Sequence, residues 1–389
     1  MDFLKRIWER VSRFLVELLK QLLRLERGED RRYWLSSQPE LLPKRYNQVT
    51  FAGTHNSFSN NSSKTEAQFP YQYWVLNHTL SITEQLNTGI RVLDIDIYPE
   101  GWFRIAQDEQ FRLAREWGLD RIELGNNIEL FNEYLERIFD KVNANQNLLG
   151  DIREEAIAVY HGVPLFGRTS FTTLLTKIKE WVEKNPGEVV SINLTRERGM
   201  EDTDDEQQKA LLNDKIKSFF VASGLDEWVS SYNIEREPDD AWPTLQEMID
   251  AGKPVMVFGL LSAQQFNRYD NYYHPEDGGE PKEAWGAKSV DDLSPTRLHV
   301  PIKPGSCRLF LDNNFCSRRW VIDFPYLFAG NLWQAKEANR YELVKALATA
   351  CESKLDEGQI VNWIWVDFFD PDDDGLLEAV RDLNASRLA

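Results

Sequence analysis

A rhythm in the sequence limits the fold more than any single residue does. From about residue 45, short apolar and β-branched runs recur: YNQVTFAG, IRVLDIDIY, AIAVYHG, EVVSINLT, KPVMVFGL, RLFLD and IVNWIWVDFF. Amphipathic stretches lie between them, such as SFTTLLTKIKEWVEKN and DEQQKALLNDKIKSFFVASG. Strands that are apolar on both faces must be covered on both, and alternation with helices gives that cover in a parallel sheet. This many units predict an α/β fold of the (β/α) TIM-barrel type, or an open sheet of similar size. With 389 residues, 42% of them apolar, the chain has ample material for such a core. No internal repeat and no low-complexity linker interrupts it.

Two segments depart from the rhythm. Residues 1–27 carry apolar side chains at Phe3, Leu4, Ile7, Trp8, Val11, Phe14, Leu15, Leu18, Leu19 and Leu22, the spacing of a helix with one apolar face. The segment has more cations than anions, whereas the whole chain has a formal charge of −18. Such a helix suits a membrane interface; packing on the body as a surface helix is the plainer alternative. We therefore divide the chain into residues 1–33, an N-terminal amphipathic helix and connector, and residues 45–389, the barrel. The barrel carries a helical insertion over about 99–155, long enough to be a lid, a substrate-shaping element or a decorative helix pair.

Composition excludes several classes. An acidic chain does not offer nucleic acid a basic groove. Cys307, Cys316 and Cys351 form no CxxC pair, so buried free thiols are expected rather than disulfides or thiolate zinc. No apolar stretch is long enough to span a bilayer, and charges break up the N-terminus where a secretory leader would be apolar. The expectation is a cytoplasmic protein held peripherally at a membrane. The sequence does not give its oligomeric state.

The strand ends carry the chemistry. VTFAGTHN ends on His55 and Asn56, RVLDIDIY carries Asp94 and Asp96, AIAVYHG ends on His161, and IWVDFF carries Asp367. In a barrel of parallel strands these ends meet at one mouth. Asp94 and Asp96 share a strand face within an apolar run, where an uncompensated charge is costly. A hard cation held by oxygen ligands would compensate them, with Asn56 adding a neutral oxygen; pairing with Arg91 is the alternative. His55 and His161 suit a general base and a general acid, and Asp367 could fix the tautomer of one imidazole. A strand-end histidine can also be purely structural, and His78, His274 and His299 are read that way.

In order, AGTHNSF, QLNTGIRVLDIDIY, VYHG, WVEKNPGEVVSINL and WVDFF resemble the X region of phosphatidylinositol-specific phospholipase C, and more broadly the PLC-like phosphodiesterases. The motif match covers roughly 45–200 and the strand near 367. The resemblance implies an often irregular (β/α) barrel that cleaves a phospholipid head group, most simply phosphatidylinositol. It puts the two histidines on His55 and His161 and the orienting aspartate on Asp367. Asn after the first histidine, with Asp94 and Asp96 on the next strand, resembles the calcium-dependent branch, so Ca²⁺, or Mg²⁺ in its place, is the implied cofactor on Asn56, Asp94 and Asp96. Where that branch has a glutamate ligand this chain has Thr195, which leaves Asn193, Thr195 or Glu197 for the fourth ligand. The implied partners are a phospholipid substrate and a membrane surface met through residues 1–27. Two other readings stand beside this one: a phosphodiesterase for another glycerophospho- or sphingolipid diester, and a non-catalytic membrane adaptor on the same barrel.

Overall fold

The computed structural model describes residues 33–60, 77–99, 115–118, 157–160, 168–196, 206–231, 242–259, 309–314, 332–353, 357–370 and 375–388, with a few short pieces elsewhere. The amphipathic helix of residues 1–27 lies outside the described residues, and the insertion at about 99–155 lies almost wholly outside them.

One nine-stranded sheet organises the chain. Its strands are β1 (Phe51–Thr54), β2 (Val92–Pro99), β3 (Ile157–Tyr160), β4 (Arg168–Ser170), β5 (Val190–Arg196), β6 (Val255–Phe258), β7 (Asp270–Asn271), β8 (Phe310–Asn313) and β9 (Trp363–Val366). The parallel strands run in the order β6-β5-β2-β1-β9-β8-β7. Helices lie between them: α1 (Ile82–Thr88), α2 (Phe171–Lys184), α3 (Glu206–Ser223), α4 (Leu245–Asp250), α5 (Leu332–Ala338), α6 (Tyr341–Glu352) and α7 (Leu376–Ser386). This is the expected α/β alternation, curved into a half-barrel. Among the described residues, β6 and β7 form its two unjoined parallel edges.

One expectation needs correcting. AIAVYHG was grouped with the parallel strands, but β3 runs antiparallel to β2, with Ile97 opposite Val159. The cause is strand length. β1 is paired with β2 only at Val92 and Leu93, while β2 continues to Pro99. The upper edge of β2 on that side needs partners for its backbone groups. β3 supplies them, and β4 pairs antiparallel with β3 in turn.

Alternation along the strands divides the apolar residues into two cores. The outer one holds Ala52, Leu93, Ile95, Ile97, Ile192, Leu194, Val255, Val257, Ile364 and Val366 against the helices. The inner one holds Phe51, Val92, Met256, Phe258, Leu311, Trp363 and Trp365. Tyr46 and Trp242, both fully buried, close the inner core at the N-terminal ends of the strands. Tyr46 stacks between Phe51 and Trp242 at centroid distances of 5.0 and 5.5 Å. Its hydroxyl meets Ser191 Oγ at 2.5 Å and accepts from Trp363 Nε1 at 3.0 Å, tying β5 to β9 across the interior. The interior is therefore packed at its base, and most of its polar side chains collect at the opposite end.

Candidate active site

The inner faces of β1, β2 and β9 pass from apolar to polar as they reach their C-terminal ends, and that of β5 is polar throughout. On β1 and the residues after it the series is Phe51, Gly53, His55; on β9 it is Trp363, Trp365, Asp367; on β2 it is Val92, Asp94, Asp96; on β5 it is Ser191, Asn193, Thr195. Parallel register levels these residues. Gly53 lies beside Trp365, Asp94 beside Asn193, and Asp96 beside Thr195.

His55 and Asp367 meet directly. His55 Nδ1 lies 3.1 Å from Asp367 Oδ1, and both side chains are buried. A carboxylate can only accept, so Nδ1 carries the proton and Nε2 is the basic nitrogen of the neutral ring. The backbone N–H of His55 extends the sheet by donating to Val366 O at 3.1 Å. The residue after each member of this pair is left-handed: Asn56 and Phe368 both have φ of 49°. Asparagine tolerates that conformation; phenylalanine does so at a cost of about 1–2 kcal/mol. Phe368 N is held there by a 2.6 Å bond to Asn77 O.

The second cluster surrounds Asp94. Its Oδ1 accepts from Asn193 Nδ2 at 2.7 Å and from Thr195 Oγ1 at 2.8 Å, and its Oδ2 accepts from Asn56 N at 3.2 Å. Burial pushes the Asp94 carboxyl up from the usual carboxylate range; the charge of His55 and these three hydrogen bonds oppose the push. Asp96 is buried one step further along β2. Arg91, the alternative partner for the aspartates, is committed elsewhere: its NH2 meets Glu188 Oε2 at 2.8 Å, far down the strand.

The oxygen-rich character of this cluster fits a hard cation. Asn193 turns its amide nitrogen to Asp94 and leaves Oδ1 buried with no hydrogen-bond partner. Among the described residues, the bonds to Asp94 come from Asn56 N, Asn193 and Thr195 and none from a cationic side chain, which is the deficit a metal ion would correct. The donor set is thin in charge. Among the described residues, no three His, Cys, Asp or Glu side chains group as a metal site. Asn56, Asp94, Asp96 and Asn193 are the residues that would hold an ion; Thr195 is already engaged with both Asp94 and Asn193.

His161 and Glu197 lie outside the described residues. His274 pairs with His299 in a separate two-stranded antiparallel sheet. His78, read as structural, is fully buried, and its Nε2 bonds to the carbonyl oxygen of His55 at 2.6 Å. Asn77 was not singled out in the sequence at all, yet its Nδ2 donates to Asp367 Oδ1 at 3.0 Å. A polar pair between a loop and a helix cap, NHTLSITE, was the available signal, since its capping Ser81 and Glu84 fix where α1 begins.

Comparison with known proteins agrees with the resemblance read from the motifs. The family model described as PI-PLC X 1 matches residues 154–274. That span includes His161, β3 to β7, and the middle of the chain where the motifs were weakest; it begins after Asp96 and ends before Asp367. A PI-PLC X domain-containing protein 1 of Arthroderma benhamiae is 22% identical over 236 residues, 60% of this chain and 53% of that protein. The chain thus spans about half the length of that curated relative. Among solved structures, phosphatidylinositol-specific phospholipase C from Listeria monocytogenes is 14% identical, with 88% of this chain and 95% of that one covered and a TM-score of 0.44. A Staphylococcus aureus phosphatidylinositol-specific phospholipase C is 13% identical, with 88% and 93% covered and a TM-score of 0.42.

Proposed function

We propose that the chain, with its PI-PLC X match over residues 154–274, is a phosphodiesterase that cleaves the head group of a phospholipid, phosphatidylinositol being the substrate that the resemblance favours. The observation that carries this reading is the buried contact between His55 Nδ1 and Asp367 Oδ1 at the strand ends. It gives His55 a fixed ring and a basic Nε2, which is what a general base for a hydroxyl nucleophile needs. In the reaction, the inositol 2-hydroxyl gives its proton to His55 as its oxygen bonds to phosphorus. The bond from phosphorus to the glycerol oxygen breaks, and His161 supplies the proton that this oxygen takes up. The products are diacylglycerol and a cyclic inositol phosphate. Variants of the two histidines decide whether the roles run in this order or the reverse.

Asn56, Asp94, Asp96 and Asn193 are the proposed cation ligands. Bound there, Ca²⁺, or Mg²⁺ in its place, would supply positive charge for the phosphate oxygens. Asp94 is the centre of that set because its neighbours already orient both of its oxygens. The proposed membrane contact is the amphipathic segment 1–27, which would keep the protein at the cytoplasmic lipid surface as a peripheral protein. Among the described residues, no helix is long and apolar enough to cross a membrane.

The test is release of water-soluble phosphate ester from phosphatidylinositol vesicles, with Ca²⁺ and then with excess chelator. Cleavage that stops on chelation, returns with Ca²⁺, and is lost in His55→Ala is the expected result. Cleavage indifferent to chelator would remove the cation from the mechanism and keep the histidines. If phosphatidylinositol is left intact but another glycerophospho- or sphingolipid diester is cleaved, the head group is different. Vesicle binding without cleavage of any diester would favour a membrane adaptor on the same barrel.

A further inference from the structure

We infer that the dipeptide Asn77-His78 is a two-handed clamp that positions both members of the His55–Asp367 pair. This rests on the catalytic reading of that pair and adds two positioning residues to it.

The argument starts from the hydrogen bonds. Asp367 Oδ1 is shared: His55 Nδ1 approaches it at 3.1 Å and Asn77 Nδ2 donates to it at 3.0 Å. Asp367 Oδ2 is buried with no hydrogen-bond partner, so Asn77 is the further named donor that holds this carboxylate in place. Asn77 also accepts through its own carbonyl from Phe368 N at 2.6 Å, gripping the residue directly after Asp367. That bond holds Phe368 in its left-handed conformation. His78 grips the other member. The carbonyl of His55 can only accept, so His78 Nε2 carries a proton and donates it at 2.6 Å.

The clamp itself is fastened at a third point. Asn77 N and His78 N both donate to Ser59 O, at 3.0 and 2.9 Å. Gln85 of α1 adds a brace, donating to Ser57 O at 2.9 Å and to Leu80 O at 2.8 Å. The loop after β1 and the segment before α1 are thereby one unit. Its bonds run to the reactive pair, to Phe368 beside it, and between the two segments themselves. Asn77 and His78 are both buried. Burial of two polar residues is costly unless their bonds are used, and three of these bonds go to His55, Asp367 and Phe368.

His78 stays neutral in this role. Burial pushes its imidazole down to about 4, with the charges of Asp367 and His55 as smaller opposing and reinforcing influences. Its Nδ1 is buried with no hydrogen-bond partner. A donor that never gains a second proton near neutral pH fixes geometry without adding charge beside His55.

The experiment pairs isosteric and donor-retaining variants. Asn77→Leu and His78→Phe remove the side-chain bonds to Asp367 and to His55 O while roughly keeping the volume, and leave the backbone bonds in place; His78→Gln restores an N–H near the position of Nε2. With phosphatidylinositol vesicles, Asn77→Leu and His78→Phe should lower kcat by roughly 100-fold, the size of effect expected from a displacement of about 1 Å at the reacting groups, with KM little changed. His78→Gln should recover most of that loss. Asn77→Leu added to Asp367→Asn should cost far less than it does alone, because Asn77 acts through Asp367. Wild-type kcat in Asn77→Leu and His78→Phe, or full additivity with Asp367→Asn, would overturn the clamp. A second readout needs no turnover: the imidazole Nδ1–H of His55, followed by NMR, should be exchange-protected in the wild type and lose protection in Asn77→Leu. If the wild type cleaves no phosphatidylinositol, the proposed function fails while this signal still decides the clamp. If His78→Phe fails to fold, Asn77→Leu and His78→Gln carry the test, and unchanged protection in Asn77→Leu would overturn it.

Discussion

Asp312 sits on the outer face of β8, opposite Ile364 in the register, with neither carboxylate oxygen hydrogen-bonded. Burial pushes its carboxyl up to about 7. The sign of the effect on stability follows from linkage. In the unfolded chain the group ionises near 4, and in the folded chain near 7, so between those values the folded state holds more protons. Its contribution is therefore most favourable below pH 4 and is lost as the pH rises to 7, roughly 4 kcal/mol for a shift of this size. Asp312→Asn keeps the shape and removes the charge. It should raise stability at pH 8 and flatten the dependence between pH 4 and 7, as measured by urea unfolding across that range; an unchanged profile would mean that the carboxyl is not the source. This residue also marks a limit of sequence reading. RLFLD reads correctly as a strand, but nothing in it tells Asp312 from Asp94. The two differ only in face: Asp94 points inward to Asn193 and Thr195, and Asp312 points outward beneath the helices. His55, Asn56 and Asp367 stand out in the sequence because each follows a strand pattern, and Asp94 because Asp96 shares its strand face. Asn77 was not, because it lies in a loop and its role exists only once β1 and β9 are side by side.

At the scale of elements, the motif AGTH contains its own reason for glycine. Gly53 is level with Trp365 on β9 and Val92 on β2. A Cβ at Gly53 would stand 2.6 Å from Trp365 Cδ1 and 2.9 Å from Val92 Cβ. Gly53→Ala must therefore displace the indole, which lies 6.4 Å from the His55 ring, centroid to centroid. The expected cost is about 1–3 kcal/mol of stability from overpacking, with a fall in cleavage because Trp365 is two residues from Asp367. Chemical denaturation and vesicle turnover measure the two effects; retention of both would show that the strands spread freely. Strand and helix periods were readable here because each is set by local alternation: the seven runs all contain strands, and α2 and α3 fall on the two helical stretches quoted from the sequence. The direction of β3 was not readable. It depends on β2 outlasting β1, a relation between two segments that no single window contains.

At the scale of the molecule, residues 34–36 are locked to the base of the sheet by one buried ion pair. Arg91 is held by Glu188 and lies between the rings of Trp34 and Trp181, 5.3 and 5.0 Å from their centroids. Glu188 also accepts from Leu35 N and Ser36 N at 3.1 and 3.3 Å. Burial pushes the Arg91 guanidinium down from its usual range, and the Glu188 carboxylate opposes that push. Glu188→Gln leaves that cation buried without its counter-charge and should cost about 3–5 kcal/mol in urea unfolding, whereas a surface pair such as Arg112 with Glu116 should contribute under 1. A cost near zero would mean that the two tryptophan rings suffice to hold Arg91.

The aromatic seal formed by Tyr46 and Trp242 makes the half-barrel a cup and not a pipe. Among the described residues, the base offers no way to His55, so the mouth at the strand ends is the side from which a head group would come. On the proposed chemistry, the acyl chains never pass through the protein; only a head group dips in, and the greasy product is left behind in the bilayer. The water-soluble product then shares this doorway with the next head group. Turnover on a tightly held surface would be paced by traffic at that doorway, and a protein that lifts off the lipid between cycles would clear it sooner.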